Sequence, residues 1–252
     1  MQIENDLLGY PRLKIIQDPD MFSFSIDSML LGDFVKIKKN TKRIMDLCTG
    51  NAAIPLYLSV KTKAEIHGVE IQQAVFDMAL KGVQVNHLED QIHLHHRDLK
   101  GISKEVGKLS FDIVTANPPF FKVPNEPHLN KNDYLTIARH EVMLTLEELI
   151  IEAHALLNNG GSFYLVHRPD RLTDILSLLR KHDLEPKRMR LVQPRRNTKP
   201  NHVLIEASKN RLEGGLIVET PLVVYHKDNW TKAILDIYNI GRDSYVTQPI
   251  KP

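Results

Sequence analysis

Short apolar runs alternate with segments of helical periodicity between residues 43 and 208. Five of these runs predict strands, at residues 43–47, 65–69, 92–95, 111–116 and 162–166. Most segments between them repeat apolar residues three and four positions apart, which is typical of an amphipathic helix. Two further strands, near residues 188–192 and 203–208, follow each other without a convincing helix. This order predicts an α/β fold with a doubly wound, mostly parallel sheet that ends in an antiparallel hairpin.

The helix before the fifth strand has a sequence signal at each end. Thr145 and Glu148 match a capping box, in which the threonine caps the helix and the glutamate reaches back to it. Its apolar stripe consists of Leu146, Leu149, Ile150, Ala153 and Leu157. Gly160 and Gly161 are expected to end it.

The segments outside this alternation are short. Residues 1–42 form an N-terminal extension that is expected to carry a short helix after Asp27. Residues 209–252 form a tail with a predicted strand at residues 222–225 and a short helix after it. The sequence shows no repeat and no low-complexity segment, and no linker separates the N-terminal extension or the tail from the core at residues 43–208. We therefore expect the whole chain to form one domain.

Composition narrows the class of protein. The chain has 252 residues, of which 42% are hydrophobic and 25% charged, as in an ordinary globular protein. No segment approaches the run of about eighteen apolar residues that a membrane-spanning helix needs, and the first residues lack the layout of a secretory signal. Cys48 is the only cysteine, which excludes an internal disulfide and is typical of a reducing compartment. We therefore expect a cytoplasmic protein that makes no membrane contact.

The charge distribution is more informative than the net charge of +2. Residues 186–205 contain no acidic residue. The basic side chains of this segment are Lys187, Arg188, Arg190, Arg195, Arg196 and Lys199. A basic run is usually a solvated surface, but its position on a late hairpin near the strand ends favours contacts with nucleic-acid phosphates.

Polar residues follow four of the predicted strands. Asp46 lies at the end of the first strand, Glu70 ends the second, and Asp98 follows the third. The fourth runs into Asn117, Pro118, Pro119 and Phe120. Because ligands of open α/β sheets bind beyond the carboxyl ends of the strands, these residues are candidates for one binding site.

The glycine content of the first loop distinguishes between nucleotide ligands. Glu70, 20 residues after Gly50, is placed to accept hydrogen bonds from a ribose diol. A dinucleotide site needs three glycines around the pyrophosphate, and this loop has only Gly50. S-adenosylmethionine has a ribose and an adenine but no phosphate, so the pattern favours it over a nicotinamide cofactor. The alternative is that Asp46 and Glu70 are solvated carboxylates at strand ends.

The Asn-Pro-Pro-Phe corner predicts chemistry on an amine. Proline cannot donate to a sheet, so the strand stops here, and each residue before a proline is held extended. The Asn117 side-chain oxygen and the Pro118 carbonyl oxygen are then placed to accept the hydrogens of an aromatic amine, which frees its lone pair to attack a methyl sulfonium. Phe120 is placed to stack on a base taken out of its helix or loop. The alternative is a rigid turn.

These motifs resemble those of the class I S-adenosylmethionine-dependent methyltransferases that carry an Asn-Pro-Pro-aromatic motif and methylate amino groups. More narrowly, the chain is similar to the bacterial tRNA1(Val) (adenine-N(6))-methyltransferase family, which modifies the adenosine immediately 3′ of the anticodon. The narrower resemblance covers most of the chain and rests on residues 24–31, 117–121, 139–141 and 188–209. It implies a Rossmann-like fold with a seven-stranded sheet and S-adenosylmethionine as the cofactor.

The resemblance also implies which residues bind the cofactor: Asp27, Asp46, Cys48, Gly50, Asn51, Glu70, Asp98 and Asn117. Glu70 would bind its ribose, Asp98 its adenine amine, and Asp27 would approach its methionine end. Cys48 and Ala52 stand where glycines are common in these enzymes, so we expect a tighter first loop.

The residues implied in catalysis are Asn117, Pro118, Pro119 and Phe120, which would hold the target adenine amine. Phe121 and Arg139, the latter within Arg-His-Glu at residues 139–141, would join the basic segment in binding tRNA. An anticodon loop suits this arrangement because its bases are already partly unstacked and cost less to extract. We infer no obligate protein partner from the sequence.

Two other chemistries are less favoured. Cys48 as a nucleophile is disfavoured because an amine target needs no covalent activation. His93, His95 and His96 suggest a metal, but no nearby cysteine or second cluster completes a site, so we expect none.

Other functions stay open at this point. Glutamine methylation on release factors uses a similar corner, usually with Tyr at the Phe120 position, but that family carries an extra helical N-terminal domain for which residues 1–42 leave little room. Adenine in ribosomal RNA or DNA is another possible substrate. From a different class, an inactive RNA-binding protein of the same fold is an alternative, against which the intact Asn117 and Glu70 count.

Overall fold

A computed structural model describes residues 2–7, 9–19, 25–118 and 144–240 of the protein. The N-terminal strands are β1 Ile3–Leu7 and β2 Tyr10–Gln17. The strands that follow are β3 Arg43–Leu47, β4 Glu65–Glu70, β5 Ile92–His96, β6 Phe111–Ala116, β7 Leu157–His167, β8 Leu184–Arg195, β9 His202–Lys209, β10 Ile217–His226 and β11 Asn229–Trp230. The helices are α1 Ile26–Phe34, α2 Ala53–Ser59, α3 Gln73–Val85, α4 Ile102–Val106, α5 Leu146–Leu156, α6 Leu172–Lys181 and α7 Lys232–Ile237, with a 3-10 turn at Pro169–Arg171.

Strands β3 to β11 form one sheet in the order β11-β10-β8-β9-β7-β6-β3-β4-β5. The pairings among β3, β4, β5, β6 and β7 are parallel, and β9 is antiparallel to both of its neighbours, β7 and β8. The predicted Rossmann-like class and the antiparallel β8–β9 hairpin are therefore confirmed. The carboxyl ends of β3, β4, β5, β6, β7 and β8 lie along one edge of the sheet, which we call the carboxyl edge.

The sheet is larger than the seven strands predicted, which are β3 to β9. β10 pairs in parallel with β8, and β11 pairs antiparallel with β10, so that this sheet has nine strands among the described residues. Leu222 and Val224 of β10 are buried in the core. Burial of these apolar side chains stabilises the extension of the sheet, and the strand predicted in the tail is part of it.

Helices cover both faces of the sheet. Leu30 of α1, Leu56 of α2 and Ile234 of α7 belong to one buried cluster, whereas Leu149 of α5 and Ile175 of α6 belong to another. Covering on both sides explains why the central strands are nearly continuous apolar runs. None of the helices in the described part of the chain is long and apolar enough to cross a membrane.

The N-terminal extension differs from the prediction in two ways. β1 and β2 form a separate antiparallel hairpin, which the apolar pattern did not predict. The helix α1 begins at Ile26, so Asp27 lies in its first turn rather than before it. The hairpin buries Leu13 and Ile15 in the core. Packing against the rest of the protein therefore stabilises this hairpin, since an isolated hairpin is marginal in water.

The capping box at the start of α5 is confirmed. The Thr145 hydroxyl oxygen accepts a hydrogen bond from the Glu148 backbone N–H at 3.2 Å, and Glu148 accepts one from the Thr145 N–H at 2.8 Å. The predicted end of this helix is wrong, because it stops at Leu156 and Leu157 begins β7. The buried Lys209 ammonium donates to the Leu157 carbonyl at 3.0 Å, which stabilises the helix end before Gly160 is reached.

Candidate active site

The first loop at the carboxyl edge has an unusual backbone. Cys48, Gly50 and Ala52 have φ angles of 58°, 57° and 63°, all in the left-handed region. This region favours glycine and costs other residues about 1 kcal/mol or more. Cys48 and Ala52 therefore occupy conformations that a glycine would adopt more easily, and the tighter loop expected from the sequence stays a prediction. The loop also lies close to β4, since a Cβ on Gly68 would come within 2.8 Å of the Thr49 hydroxyl.

Asp46 lies beneath this loop and is fully buried. Its two carboxylate oxygens accept hydrogen bonds from the hydroxyl groups of Thr49, at 2.7 Å, and Thr115, at 2.6 Å. Burial is the main cause that raises the pKa of Asp46 to about 7, while the two hydroxyl donors oppose the shift. Asp46 thus holds the loop against β6, and its direct contact with a ligand stays a prediction.

Glu70 connects the end of β4 to the same loop. One carboxylate oxygen accepts a hydrogen bond from the Gly50 N–H at 3.1 Å, and the other accepts one from the Gln72 N–H at 2.9 Å. Burial raises the pKa of this carboxyl group above its usual range. The contact with Gly50 places Glu70 where the sequence analysis put the ribose-binding acid, and each carboxylate oxygen can accept a further hydrogen bond.

Asn51 faces the N-terminal hairpin. Its side-chain N–H donates to the Ile16 carbonyl at 3.0 Å. Its side-chain oxygen is buried and accepts no hydrogen bond from the described residues. Asn51 therefore ties the first loop to β2, a role that its place in the sequence did not indicate, and leaves one buried acceptor at the loop.

The other acids of the carboxyl edge are differently exposed. Asp98 follows β5, is exposed, and accepts a hydrogen bond from the Lys100 N–H at 3.0 Å. Asp27 is buried in the first turn of α1, where it accepts a hydrogen bond from the Ser25 hydroxyl at 2.9 Å. The ring nitrogen Nε2 of His202, the first residue of β9, lies 3.1 Å from the same carboxylate. Asp27, Glu70 and Asp98 therefore each bring a carboxylate to this edge near the first loop and Asn117.

Asn117 directly follows β6 at the carboxyl edge. Its side-chain N–H donates to the Ser28 hydroxyl oxygen of α1 at 3.0 Å. Its side-chain oxygen accepts no hydrogen bond from the part of the chain that the structure describes. Pro118 is buried. Ser28 was missed by the sequence analysis as an individual residue, although it lies in the stretch 24–31 that carried the resemblance.

Four predicted site residues lie outside the described residues. These are Pro119, Phe120, Phe121 and Arg139. Their roles in catalysis and RNA binding stay predictions.

The prediction that Arg188 contacts RNA is wrong. Its guanidinium donates to the carboxylates of Glu206, at 2.7 Å, and Glu219, at 3.0 Å. It also lies 3.7 Å from the centre of the Phe34 ring and donates to the Phe34 carbonyl at 2.6 Å. Its side chain is only 7% exposed. Arg188 is therefore an internal cation that joins β8, β9, β10 and the end of α1.

Lys187 and Arg190 are also held by protein groups. The Lys187 ammonium donates to the carbonyls of Leu212 and Gly214 in the tail, and Arg190 donates to the Thr220 carbonyl at 3.0 Å. These residues lie in the first part of β8, away from the carboxyl edge. Their surroundings count against the predicted role in RNA binding.

The second part of the basic segment lies at the carboxyl edge. Arg195 ends β8, with its guanidinium 5.9 Å from the Tyr225 ring and 3.6 Å from the Asp228 carboxylate. Arg196 and Lys199 are exposed in the turn between β8 and β9, and neither is bonded to another side chain among the described residues. This turn therefore carries exposed cations on the same edge as Asn117, as a phosphate-binding surface requires.

The histidines and Cys48 contact or pack against neighbouring protein groups, which accounts for their presence without a metal or a nucleophile. His67 lies 2.9 Å from His95 and 2.8 Å from Glu65, ring nitrogen to partner atom, and burial lowers the pKa of His67 to about 4. His93 lies beside the same Glu65. Burial raises the pKa of the Cys48 thiol, so it is not poised as a thiolate nucleophile. Among the described residues no group of three or more side chains could hold a metal ion.

Comparison with known proteins finds a matching family and curated relatives. The family described as the methyltransferase small domain matches residues 12–182. A curated tRNA1(Val) (adenine(37)-N6)-methyltransferase from Porphyromonas gingivalis is 28% identical over 208 residues, which are 80% of this chain and 80% of the relative. A relative with the same name from Flavobacterium psychrophilum is 24% identical over 226 residues, 88% of this chain and 95% of its own length.

A solved structure supports the fold. A predicted O-methyltransferase from Agrobacterium tumefaciens matches with a TM-score of 0.68 and 20% identity, covering 85% of this chain and 96% of the other.

Proposed function

Because the chain belongs to the methyltransferase small domain family, we propose that it transfers a methyl group from S-adenosylmethionine to the N(6) amine of an adenine in tRNA. The target we favour is the adenosine next to the anticodon of tRNA1(Val), which is the activity named for the two relatives. The observation that carries the proposal is the position of Asn117, whose side-chain oxygen accepts no hydrogen bond from the described residues and lies on the same edge as Glu70 and the first loop.

The chemistry of the site fits this cofactor. The edge offers the carboxylates of Asp27, Glu70 and Asp98 and the buried oxygen of Asn51, which has no hydrogen-bond partner among the described residues. These acceptors suit a ligand that is positively charged and rich in hydroxyl and amino donors, and they disfavour a pyrophosphate. S-adenosylmethionine, when bound, supplies an electrophilic methyl group on a positively charged sulfur.

Each acidic residue has a proposed partner. Glu70 holds the ribose hydroxyls, Asp98 the adenine amine and Asp27 the methionine end of the cofactor. Asp46 acts indirectly, since both of its oxygens already bind threonine hydroxyls that shape the first loop.

Asn117 and Pro118 act on the target amine. The lone pair of an aromatic amine is delocalised into the ring, which makes the nitrogen a poor nucleophile. Hydrogen bonds from the amine to the Asn117 oxygen and the Pro118 carbonyl oxygen favour a tetrahedral nitrogen with a localised lone pair. Because these bonds are strongest in the transition state, they lower the barrier rather than simply increase affinity.

The cations of the β8–β9 turn bind the RNA backbone. Arg195, Arg196 and Lys199 lie on the carboxyl edge, so phosphates held there bring a neighbouring base toward Asn117. These contacts carry no base specificity of their own. Because the proposed substrate is tRNA, we further propose that the protein acts in the cytoplasm.

We further propose that the whole chain is a single domain. Leu7 and Leu13 of the hairpin, Leu30 of α1 and Ile234 of α7 belong to the same buried cluster as Ile44 of the central strand β3. Shared burial of this kind supports a single domain that includes the N-terminal hairpin and α7.

One experiment tests the activity. The purified protein is incubated with labelled S-adenosylmethionine and separate pools of tRNA, ribosomal RNA and protein, and the methylated product is identified by mass spectrometry. We expect N(6)-methyladenosine in tRNA1(Val), and none in a transcript whose adenosine next to the anticodon is replaced by guanosine. Label confined to ribosomal RNA or to a glutamine in protein would refute the tRNA assignment.

A further inference from the structure

We propose that Ser28 of α1 is a positioning residue, which holds the Asn117 carboxamide in the orientation that accepts hydrogens from the target amine. The inference rests on the proposed amine methylation and adds a residue to it. Asn117 and Ser28 are 89 positions apart in the chain, yet the Asn117 N–H donates to the Ser28 hydroxyl oxygen at 3.0 Å.

The orientation of a carboxamide decides whether it attracts or repels an amine. The oxygen of Asn117 accepts hydrogen bonds, whereas its NH2 group only donates them. An NH2 group turned toward the amine would place donor against donor. In the orientation observed, the NH2 group is bound to Ser28, and the oxygen accepts no hydrogen bond within the described part of the chain.

Ser28 is a fixed support for this bond. It lies in α1 and is 8% exposed, and its neighbours Met29 and Leu30 are fully buried or nearly so. The other end of α1 is held by Arg188, which donates to the Phe34 carbonyl and covers the Phe34 ring. Because α1 is held at its far end and along its length, the hydroxyl of Ser28 stays in place when a base enters the site.

Removing the hydroxyl should therefore slow turnover without weakening binding. Small misplacements of a reacting group cost up to about 100-fold in rate, and we expect Ser28→Ala to lower the single-turnover rate by about 10- to 100-fold. The dissociation constants for tRNA and S-adenosylmethionine should not change. Ser28→Thr keeps the hydroxyl and should restore most of the rate. Ser59→Ala is the matched control, since Ser59 is a 7% exposed helical serine whose hydroxyl donates to the Leu56 carbonyl of its own helix.

A double-mutant cycle separates positioning from a general structural effect. If Ser28 acts through Asn117, then Ser28→Ala should add nothing to the defect of Asn117→Ala. Ser28→Ala with a rate within twofold of the wild type, or with a full further loss in the Asn117→Ala background, would overturn the proposal.

A measurement that does not depend on activity completes the test. In 15N-labelled protein the side-chain amide signal of Asn117 is assigned by its loss in Asn117→Ala. This signal should shift and exchange faster with water in Ser28→Ala, and neither change should occur in Ser28→Thr. An unchanged signal in Ser28→Ala would show that Asn117 does not donate a hydrogen bond to Ser28 in solution, which overturns the proposal. If the wild type methylates no tRNA, the proposed function fails, and the amide signal still decides whether Ser28 holds Asn117.

Discussion

The two ends of β8 carry the same kind of side chain in different surroundings. Near its start, Lys187, Arg188 and Arg190 are bound by carboxylates and carbonyls of β9, β10 and the tail. In the turn that follows it, Arg196 and Lys199 are exposed on the carboxyl edge and unpaired among the described residues. Both groups belong to one acid-free run in the sequence.

The difference shows that a charge run does not by itself identify a binding surface. β8 crosses the sheet from one edge to the other, and its first part is covered by neighbours. Those neighbours supply Glu206 and Glu219, which lie 18 and 31 residues further along the chain. A buried cation needs such partners because desolvation is costly. Only the exposed end of the run is left for a ligand.

The largest expected effect is a loss of stability on replacing Arg188, in the covered first part of β8. Arg188→Ala leaves the Glu206 and Glu219 carboxylates without their shared cation, and breaking a buried ion pair in this way costs about 3–5 kcal/mol. We expect a fall of the melting temperature by about 2–4 °C for each kcal/mol lost. Differential scanning calorimetry measures this change. Arg196→Ala is the control and should have the same melting temperature as the wild type. A stable Arg188→Ala variant with weakened tRNA binding would instead restore the original RNA-binding prediction.

The second-largest effect is expected at Asn117. It tests whether separate residues of the carboxyl edge serve catalysis and RNA binding. Asn117→Ala removes one preorganised acceptor, which typically costs about 10²–10³ in turnover, or roughly 3–4 kcal/mol. Affinity for tRNA should change much less, because the cations of the β8–β9 turn remain. Single-turnover assays with saturating tRNA and cofactor measure the rate. Near-wild-type methylation by this variant would mean that the corner is only a turn.

A smaller effect tests the exposed end of the run. Reversing charge with Arg196→Glu and Lys199→Glu together should weaken tRNA binding and lower the slope of log affinity against log salt by about two units, one for each lost phosphate contact. Cofactor affinity should be unchanged. Lys187→Glu is the matched reversal at the covered end and should leave the slope as it is. Equal changes in the salt slope for Lys187→Glu and for the variant of the β8–β9 turn would show that both parts of the basic segment contact RNA.

The smallest effect is expected at Arg195, which lies between the covered cations near the start of β8 and the exposed cations of the β8–β9 turn. Its guanidinium lies 3.6 Å from the Asp228 carboxylate, which is almost fully exposed. Such a surface pair neutralises part of the charge but contributes little to stability. Arg195→Ala should therefore lower the salt slope by less than the single variant Arg196→Ala, while Asp228→Asn should raise tRNA affinity slightly. Filter binding over a range of salt concentrations compares the three variants. A loss at Arg195 that exceeds the loss at Arg196 would show that the Asp228 pair does not form in solution.

Much of the fold could be predicted from local pattern. The apolar runs and the Thr145 capping box are local signals, and the seven core strands and the start of α5 were found from them. The end of α5 was missed because it depends on the Lys209 ammonium, which comes from a distant strand. The hairpin β1–β2 was missed for a similar reason, since its stability comes from packing on the core.

The sequence by itself determined which chemical groups follow each strand. The order of acid, first loop, acid and Asn-Pro-Pro can be read directly from the chain, and so can the choice of Glu70 as the candidate ribose acceptor. The hydrogen bond from the Gly50 N–H to Glu70, 20 residues further on, is a tertiary contact that the sequence did not predict. The tertiary structure alone decided which groups are satisfied within the protein and which face a ligand. Arg188 is covered and Asn117 is oriented by contacts with α1, more than 80 residues away from each along the chain. Burial and hydrogen-bond partners depend on such distant contacts, and they decide whether a polar side chain stabilises the fold or binds a substrate.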